Sequence, residues 1–349
     1  MTLMLTNEDA EDLLTMPDCI DALEQAYRGL ALGDSVSAVN SDAITPTRLP
    51  EAIYQLKLMG GVIPALGVGA LRLNSDVIAY RNNRQVKMAL APGKRYTGLV
   101  ILFSVTTGEP LAIMPDGVMQ RMRVGAASAL GAKYLARVDS KTVGLIGAGW
   151  QAGAQAMAIT ATHQIEVIRC YSPTRDKREA FCREMSERSA TPVHSVNTPE
   201  EAVRGADIVL CATNAFQQVF FEQWWEPGMH VGTIRGVELG ADVVRRADVV
   251  AIHDRSLRGV SAVAKGIVLP ENRMAIVGLP DIDRMPTLPE LIAGIAPGRT
   301  SAQQKSCFLN LRGIGLQFAA VGAALLRKAA AAGRGRELPT DWFTEDVVP

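Results

Sequence analysis

The segment Lys141–Gln155, KTVGLIGAGWQAGAQ, constrains this chain more than any other. It reads as a β-strand, Thr142–Ile146, that runs into a glycine turn and then a helix. Gly147, Gly149 and Ala152 fit the G-x-G-x-x-G/A spacing of a dinucleotide site, with Gln151 inside the motif. Gly147 permits the tight turn, Gly149 keeps no side chain between backbone and pyrophosphate, and Ala152 lets the helix pack close to the strand. Phosphates would sit on free N–H groups at the helix start, where the dipole favours an anion. Glycines also mark ordinary turns, so the context decides: here an apolar strand precedes them and a helix follows.

At 349 residues the chain is too long for one typical core, which predicts two domains. Its 36 basic and 36 acidic residues leave no formal net charge. That balance argues against a nucleic-acid or membrane-surface partner, which needs a basic excess. No apolar run is long enough to span a bilayer, and the first residues include Glu8, Asp9, Glu11 and Asp12 rather than a leader pattern, so a cytoplasmic location is expected. Cys19, Cys170, Cys182, Cys211 and Cys307 form no CxxC pair and read as small core residues. The four histidines show no ligand spacing, and no metal site is expected.

Residues 7–32 read as a helical pair, the first capped by Asn7, the second opened by Pro17 and ended by Gly33. Residues 40–115 read as an antiparallel meander: Ala52–Met59, Val68–Leu73, Gln85–Leu90, Thr97–Ser104 and Pro110–Met114 are short apolar or alternating runs. Gly60-Gly61, Pro92-Gly93 and Thr107-Gly108 punctuate them. Arg121–Arg137 is an Ala-rich helix leading to the glycine motif. Beyond it, candidate strands Val167–Tyr171, Ile208–Thr213, His230–Ile234 and Val249–His253 alternate with helices near 175–189, 199–204 and 241–246. That alternation predicts an α/β fold, a Rossmann doubly wound parallel sheet. Gly315–Ala332 is a helix too apolar to stand alone, so it packs on the N-terminal domain or on a second subunit. The tail Glu337–Pro349 is expected to be irregular.

Past the second strand of such a sheet, a carboxylate would hold the adenosine 2′-OH and favour NAD. Here the stretch is Tyr171-Ser172-Pro173-Thr174-Arg175. Ser172, Thr174 and Arg175 suit a 2′-phosphate, which favours NADP over NAD. Alternatively this is a helix-start turn, and Asp176 lies close by. Thr213 and Asn214 end the next strand and are expected near the nicotinamide-side ribose, unless they only form the turn.

Several stretches together resemble the ornithine cyclodeaminase/μ-crystallin family: Arg123–Ser128 with its helix, the glycine motif, Trp225–His230 (WEPGMH), and Gly298-Arg299 ahead of Phe308…Gly313. Their order and spacing match over nearly the whole chain. The resemblance implies an α+β substrate and dimerisation domain with antiparallel strands (1–135, completed by 314–349) around a Rossmann NAD(P) domain (136–313), and a homodimer. It also implies a small amino or imino acid substrate. A guanidinium fork suits the carboxylate of such a substrate. The matching positions are Arg48, Arg72 and Arg123, of which Arg123 fits best because the family's helix start is here Arg123-Val124-Gly125-Ala126. Arg121 lies on another face of that helix.

Two departures bear on the chemistry. Where the family places a lysine, this chain has Arg72, which clamps an anion but does not exchange protons near neutrality, with a pKa above about 12. Lys57, on the preceding strand, is a candidate stand-in amine. The loop after WEPGMH is shorter and lacks the cyclodeaminase aspartate; Glu238 either replaces it or matches a Glu-Leu pair further on, and Arg235 adds positive charge. Expelling ammonia needs a tuned proton acceptor, whereas reducing a protonated imine asks for less. The expected function is therefore imine or keto-acid reduction, or the reverse amino-acid dehydrogenation. The alternatives are a cyclodeaminase using NAD catalytically and a non-catalytic NADP-dependent binding protein.

Overall fold

The strand–turn–helix expected at the glycine motif is present as Thr142–Ile146 followed by Trp150–Thr162. It forms the centre of a seven-stranded, all-parallel sheet. The structure is a computed structural model that describes residues 1–81, 84–255, 259–265, 267, 279 and 282–345. The strands run in the order Val193–Ser195, Val167–Tyr171, Thr142–Ile146, Ile208–Cys211, His230–Thr233, Ser306–Leu309 and Val249–Ile252. Sequence reading misses the two shortest signals here. Val193–Ser195 is only three residues, and Ser306–Leu309 is a brief apolar run with no periodicity to mark it.

The second sheet has ten strands and is antiparallel through its middle. Both flanks depart from a simple meander. Thr2–Met4 lies parallel to Pro110–Pro115, and Val260–Val263 lies parallel to Ser41–Pro46. The latter strand comes from the 136–313 span assigned above to the nucleotide domain, so the chain crosses between the sheets there. The tail is not wholly irregular: Arg336–Leu338 pairs antiparallel with Thr2–Met4. At the first helix, Asn7–Leu13, the cap is Thr6 rather than Asn7, because Thr6 and Asp9 satisfy each other's backbone N–H in a capping box. Thr15 and Asp18 do the same for Met16–Leu32.

Gly60 and Gly61 do not break a strand. They lie inside Ala52–Ile63, which pairs along its length with Val68–Arg81. Their role is clearance. A side chain at Gly61 would overlap the backbone nitrogen of Leu316, and one at Gly315 would overlap the backbone of Gly60. The helix Gly315–Ala331 thus meets the sheet backbone to backbone. It packs on its own subunit, and Phe318, Ala319, Ala320, Val321 and Leu325 are buried there. No described helix is long and apolar enough to cross a membrane.

The ten-stranded sheet alternates cleanly. Met59, Arg72, Val100, Leu102 and Met114 point to the helices and are buried. Leu71, Leu73, Ile101, Phe103 and Ile113 face the other way and stay partly exposed. Between the two sheets runs Gly117–Leu135, buried over most of its surface. A hydrogen-bond chain also joins the halves. Tyr27 Oη lies 2.6 Å from His253 Nε2, and His253 Nδ1 bonds the Arg312 carbonyl. Because Nδ1 must donate to that carbonyl, Nε2 accepts from the tyrosine. Burial, with Arg123 nearby, pushes the His253 pKa down to about 4. His230 is also buried, with Nδ1 3.0 Å from Ser306 Oγ, and burial pushes it down to about 3.

Gly61→Ala should lower stability by about 1–3 kcal/mol, the usual range for overpacking, as a shift in the urea midpoint. Gly69→Ala, where only the Val62 side chain comes within van der Waals range, serves as the tolerated control. The two buried histidines set an acid limit. Above pH about 6.5 both are neutral folded or unfolded; below it the unfolded chain takes up protons that the folded one refuses. Each should cost about 1.4 kcal/mol per pH unit as pH falls from about 6.5 toward 5, and His230→Gln should remove its share of that slope in urea titrations across this range.

Candidate active site

The C-terminal ends of the parallel strands open into a cleft of about 1710 Å³. Its lining includes Gly147, Gly149, Gln151, Ser172, Thr174, Thr213 and Asn214, bringing together most of the predicted cofactor residues. Gly147 has φ +124°, and a side chain there would overlap the Ala212 carbonyl oxygen. Gly149 faces open space and precedes the first helical turn, so the free N–H groups of that turn are accessible to an anion. Ala152 is fully buried beneath the turn. Gln151 Oε1 is buried without a partner. These features fit a dinucleotide: an open glycine backbone where a pyrophosphate would lie and no side chain in its way.

The adenosine end differs from expectation at one residue. Arg175 does not line the cleft; its Nε donates to Glu179 Oε1 at 2.7 Å on an exposed helix face. Lys177 lines the cleft instead. Arg178, one position on, is buried and donates to the Ser172 carbonyl at 2.6 Å and to Ser195 Oγ at 2.6 Å, which stiffens the Ser172–Thr174 turn. No carboxylate lines the cleft among the described residues.

Glu238 is fully buried beside this cleft. One oxygen accepts from Thr213 N at 2.6 Å and Thr213 Oγ1 at 2.8 Å. The other accepts from Thr233 Oγ1 at 2.6 Å and from the backbone N–H groups of Ile234 and Arg235 at 3.2 and 3.1 Å. Burial raises its pKa and these bonds oppose the rise. The carboxylate ties two strand ends together and has little capacity left for a substrate. Arg235 Nη1 donates to the Ala215 carbonyl at 3.0 Å at the cleft wall.

A cationic group sits where the inner face of the large sheet meets the helices. Arg72 Nε and Nη2 both contact Asp116 Oδ2, at 2.8 and 2.7 Å, and Asn74 Nδ2 donates to the same oxygen at 3.0 Å. Arg72 is thus already engaged by an internal carboxylate. Arg123, 7% exposed, has no carboxylate partner among the described residues. Its Nη1 donates to Gln317 Oε1 at 3.0 Å, and its Nε is buried without a partner. Gln317 Nε2 in turn donates to Tyr27 Oη at 2.8 Å, so the Tyr27–His253 chain fixes which end of the amide meets Arg123. The Phe318 ring lies against both guanidiniums, 5.0 Å from Arg72 and 5.3 Å from Arg123. Burial, and then the charge of Arg72, depress the Arg123 pKa to about 10. Asn310 donates to the Val124 carbonyl and to Ser128 Oγ, which ties the Arg123 helix to the end of Ser306–Leu309 in the parallel sheet.

Lys57 shares this sheet face, with Nζ 3.8 Å from Asp42. Its pKa is lowered, first by burial and then by the charges of Arg72, Arg312 and Lys87, against an upward pull from Asp42. Arg48 lies apart, in an exposed turn between Ser41–Pro46 and Ala52–Ile63. Arg121 pairs with Glu11 at 2.8 Å and stacks on Trp150. Sequence reading misses Asp116, Gln317, Phe318 and Lys177. Asp116 follows an alternating strand directly, a position that its pattern marks; Gln317 and Phe318 sit in a helix whose apolar run masks them.

The chain matches the model of the Ornithine cyclodeaminase/mu-crystallin family over residues 1–320. A Delta(1)-pyrroline-2-carboxylate reductase of Bacillus cereus is 31% identical over 72% of this chain and 75% of its own length. An alanine dehydrogenase of Archaeoglobus fulgidus is 28% identical over 97% of this chain and 98% of its own. Among solved structures, the Thermococcus litoralis Delta(1)-pyrroline-2-carboxylate reductase in complex with NADH and L-proline superposes with a TM-score of 0.79 at 25% identity, covering 97% of this chain and all of that one. The chain therefore belongs to the ornithine cyclodeaminase/mu-crystallin family.

Proposed function

We propose that this protein is an NAD(P)-dependent oxidoreductase that reduces a 2-imino acid, or a 2-oxo acid with an amine, and runs the matching amino-acid dehydrogenation in reverse. The observation that carries this reading is a buried guanidinium without a counterion among the described residues, Arg123, on a helix tied to the parallel sheet whose other strand ends form the glycine-motif cleft. An unpaired buried charge is costly, and a substrate carboxylate is the group that satisfies it. Two relatives named for these reactions, an alanine dehydrogenase and a pyrroline-2-carboxylate reductase, support the reaction class.

Bound reduced nicotinamide would supply the hydride. The residues of this chain do the rest: Arg123 receives the carboxylate, and Arg72, neutralised by Asp116, packs against the Phe318 ring that also backs Arg123. Gly147, Gly149, Gln151, Ala152, Ser172, Thr174, Thr213 and Asn214 would seat the dinucleotide. Positioning of substrate over the ring supplies much of the rate in such reactions. Lys57 is the titratable amine of this face, its ammonium already loosened, and is the candidate proton source. Glu238 is a structural tie rather than a base, because both its oxygens are already filled. Among the described residues no carboxylate lines the cleft, and the family lysine is replaced by Arg72, which favours reduction over cyclodeamination. Lys177, with no carboxylate opposing it, favours NADP over NAD.

A second copy of the chain would cover the apolar outer face of the large sheet. Leu71, Leu73, Ile101, Phe103 and Ile113 form one contiguous half-exposed apolar surface, of the kind a second subunit buries.

Purified protein should oxidise NAD(P)H in the presence of some cyclic 2-imino acid or some 2-oxo acid with ammonia or methylamine. A broad panel without turnover, despite cofactor binding seen by fluorescence, would exclude the reductase. Lys177→Gln should weaken NADPH by about tenfold and leave NADH nearly unchanged, while Arg175→Gln should alter neither. Ile101→Asp should convert a dimer to a monomer in sedimentation velocity; a wild-type monomer would refute the interface.

A further inference from the structure

The charges on the inner sheet face do not cancel, and the remainder has a definite size. Three cations are matched. Arg72 pairs with Asp116, Lys57 with Asp42, and Lys87 with Asp76 at 2.5 Å. Nearby, Arg255 pairs with Glu290, and Asp254 is engaged by contacts of its own. Among the described residues two guanidiniums are left over: Arg123 and Arg312. They flank one residue. The Arg123 guanidinium packs so closely on Gly313 that a side chain there would overlap it, and Arg312 is the residue just before. The Arg312 Nη1 atom lies over Gly259, 2.9 Å from where a side chain would begin, and its charge reaches Lys57. The same chain, His253–Tyr27–Gln317, holds the Arg312 carbonyl at one end and the Arg123 guanidinium at the other. A buried network thus fixes the Arg123 guanidinium relative to the backbone from which the half-buried Arg312 side chain extends.

We infer that the substrate is a dicarboxylic 2-imino or 2-oxo acid, its first carboxylate bound by Arg123 and its second by Arg312. This rests on the reductase reading and adds the substrate class to it. A monocarboxylate would neutralise Arg123 and leave Arg312 without a partner; a dianion neutralises both, with a guanidinium fork at each end. The chemistry is unaltered by the second carboxylate. Hydride from a reduced nicotinamide adds to C2, the π pair of C=N passes to nitrogen, and a protonated iminium becomes the neutral amine with no further proton. The nicotinamide is oxidised in the same step.

The test separates binding from turnover. Succinate and glutarate, which do not react, are titrated calorimetrically against propionate and butyrate on wild-type protein and on Arg312→Gln. The diacids should bind at least tenfold tighter than the monoacids to the wild type, and Arg312→Gln should abolish that margin while keeping the wild-type Tm. In turnover assays the diacid-over-monoacid ratio of kcat/KM should fall at least thirtyfold in the variant. Equal binding of diacids and monoacids, or a preference that survives in Arg312→Gln, overturns the inference and leaves the reductase intact. Diacid binding that depends on Arg312, with no acid of either kind turned over, upholds the subsite and overturns the reductase.

Discussion

The close passage of two backbones, Gly60-Gly61 in the large sheet and Gly315-Leu316 at the head of the last helix, sets the geometry of the anion site. No side chain separates them, so the first turn of the helix is held hard against the sheet. Gln317 and Phe318 belong to that turn. Phe318 is therefore fixed against Arg72 and Arg123, and Gln317 is presented to Arg123. Cation–π attraction of about 0.5–2 kcal/mol for each guanidinium offsets part of what burial and mutual repulsion cost. Moving the helix outward by the width of a methyl group would loosen ring, amide and both cations together.

Asp116 then divides the work of the two arginines. It holds Arg72 with two contacts and takes a third from Asn74, so that cation is compensated inside the fold. Arg123 is left charged, mostly buried and answered by one neutral amide. An arginine matched to the family lysine need not be the ligand; the contacts of Arg123 support the proposed carboxylate role there instead. Glu238 shows the same principle from the other side. A buried carboxylate is reactive only with a lone pair to spare, and five donors leave Glu238 little.

The cofactor half was legible because its chemistry is local. One strand, one turn and one helix carry the glycines, and Gly147 and Gly149 sit in the structure where their spacing places them. Local reading also has a limit, visible at the adenosine turn, where Arg175 and Lys177 lie two positions apart on one helix and only the latter reaches the cleft. The anion half was legible in part. Arg72 and Arg123 carried a signal of their own, but their partners come from three separate stretches, at Met59, Asp116 and Gln317-Phe318. Pairing of that kind depends on sheet register and helix approach, which short-range pattern does not contain. Gly60-Gly61 misleads for the same reason: a glycine pair reads as a turn unless the helix that needs the clearance, some 255 residues on, is known.

An unpaired guanidinium in the interior lowers the stability of the free protein, and the same deficit is what a ligand can recover. Burial and the charge of Arg72 both work against the ionised form of Arg123 and hold its pKa down. A carboxylate placed there reverses both effects at once: it restores a counterion and shields the two guanidiniums from each other. Binding to the folded state alone then raises stability by mass action. The rigid support behind Arg123, from Gln317 through Tyr27 to His253, prevents the cheaper escape of swinging the side chain to water. In the proposed reading, stability withheld from the free protein would in this way be converted into selectivity for an anion at one place.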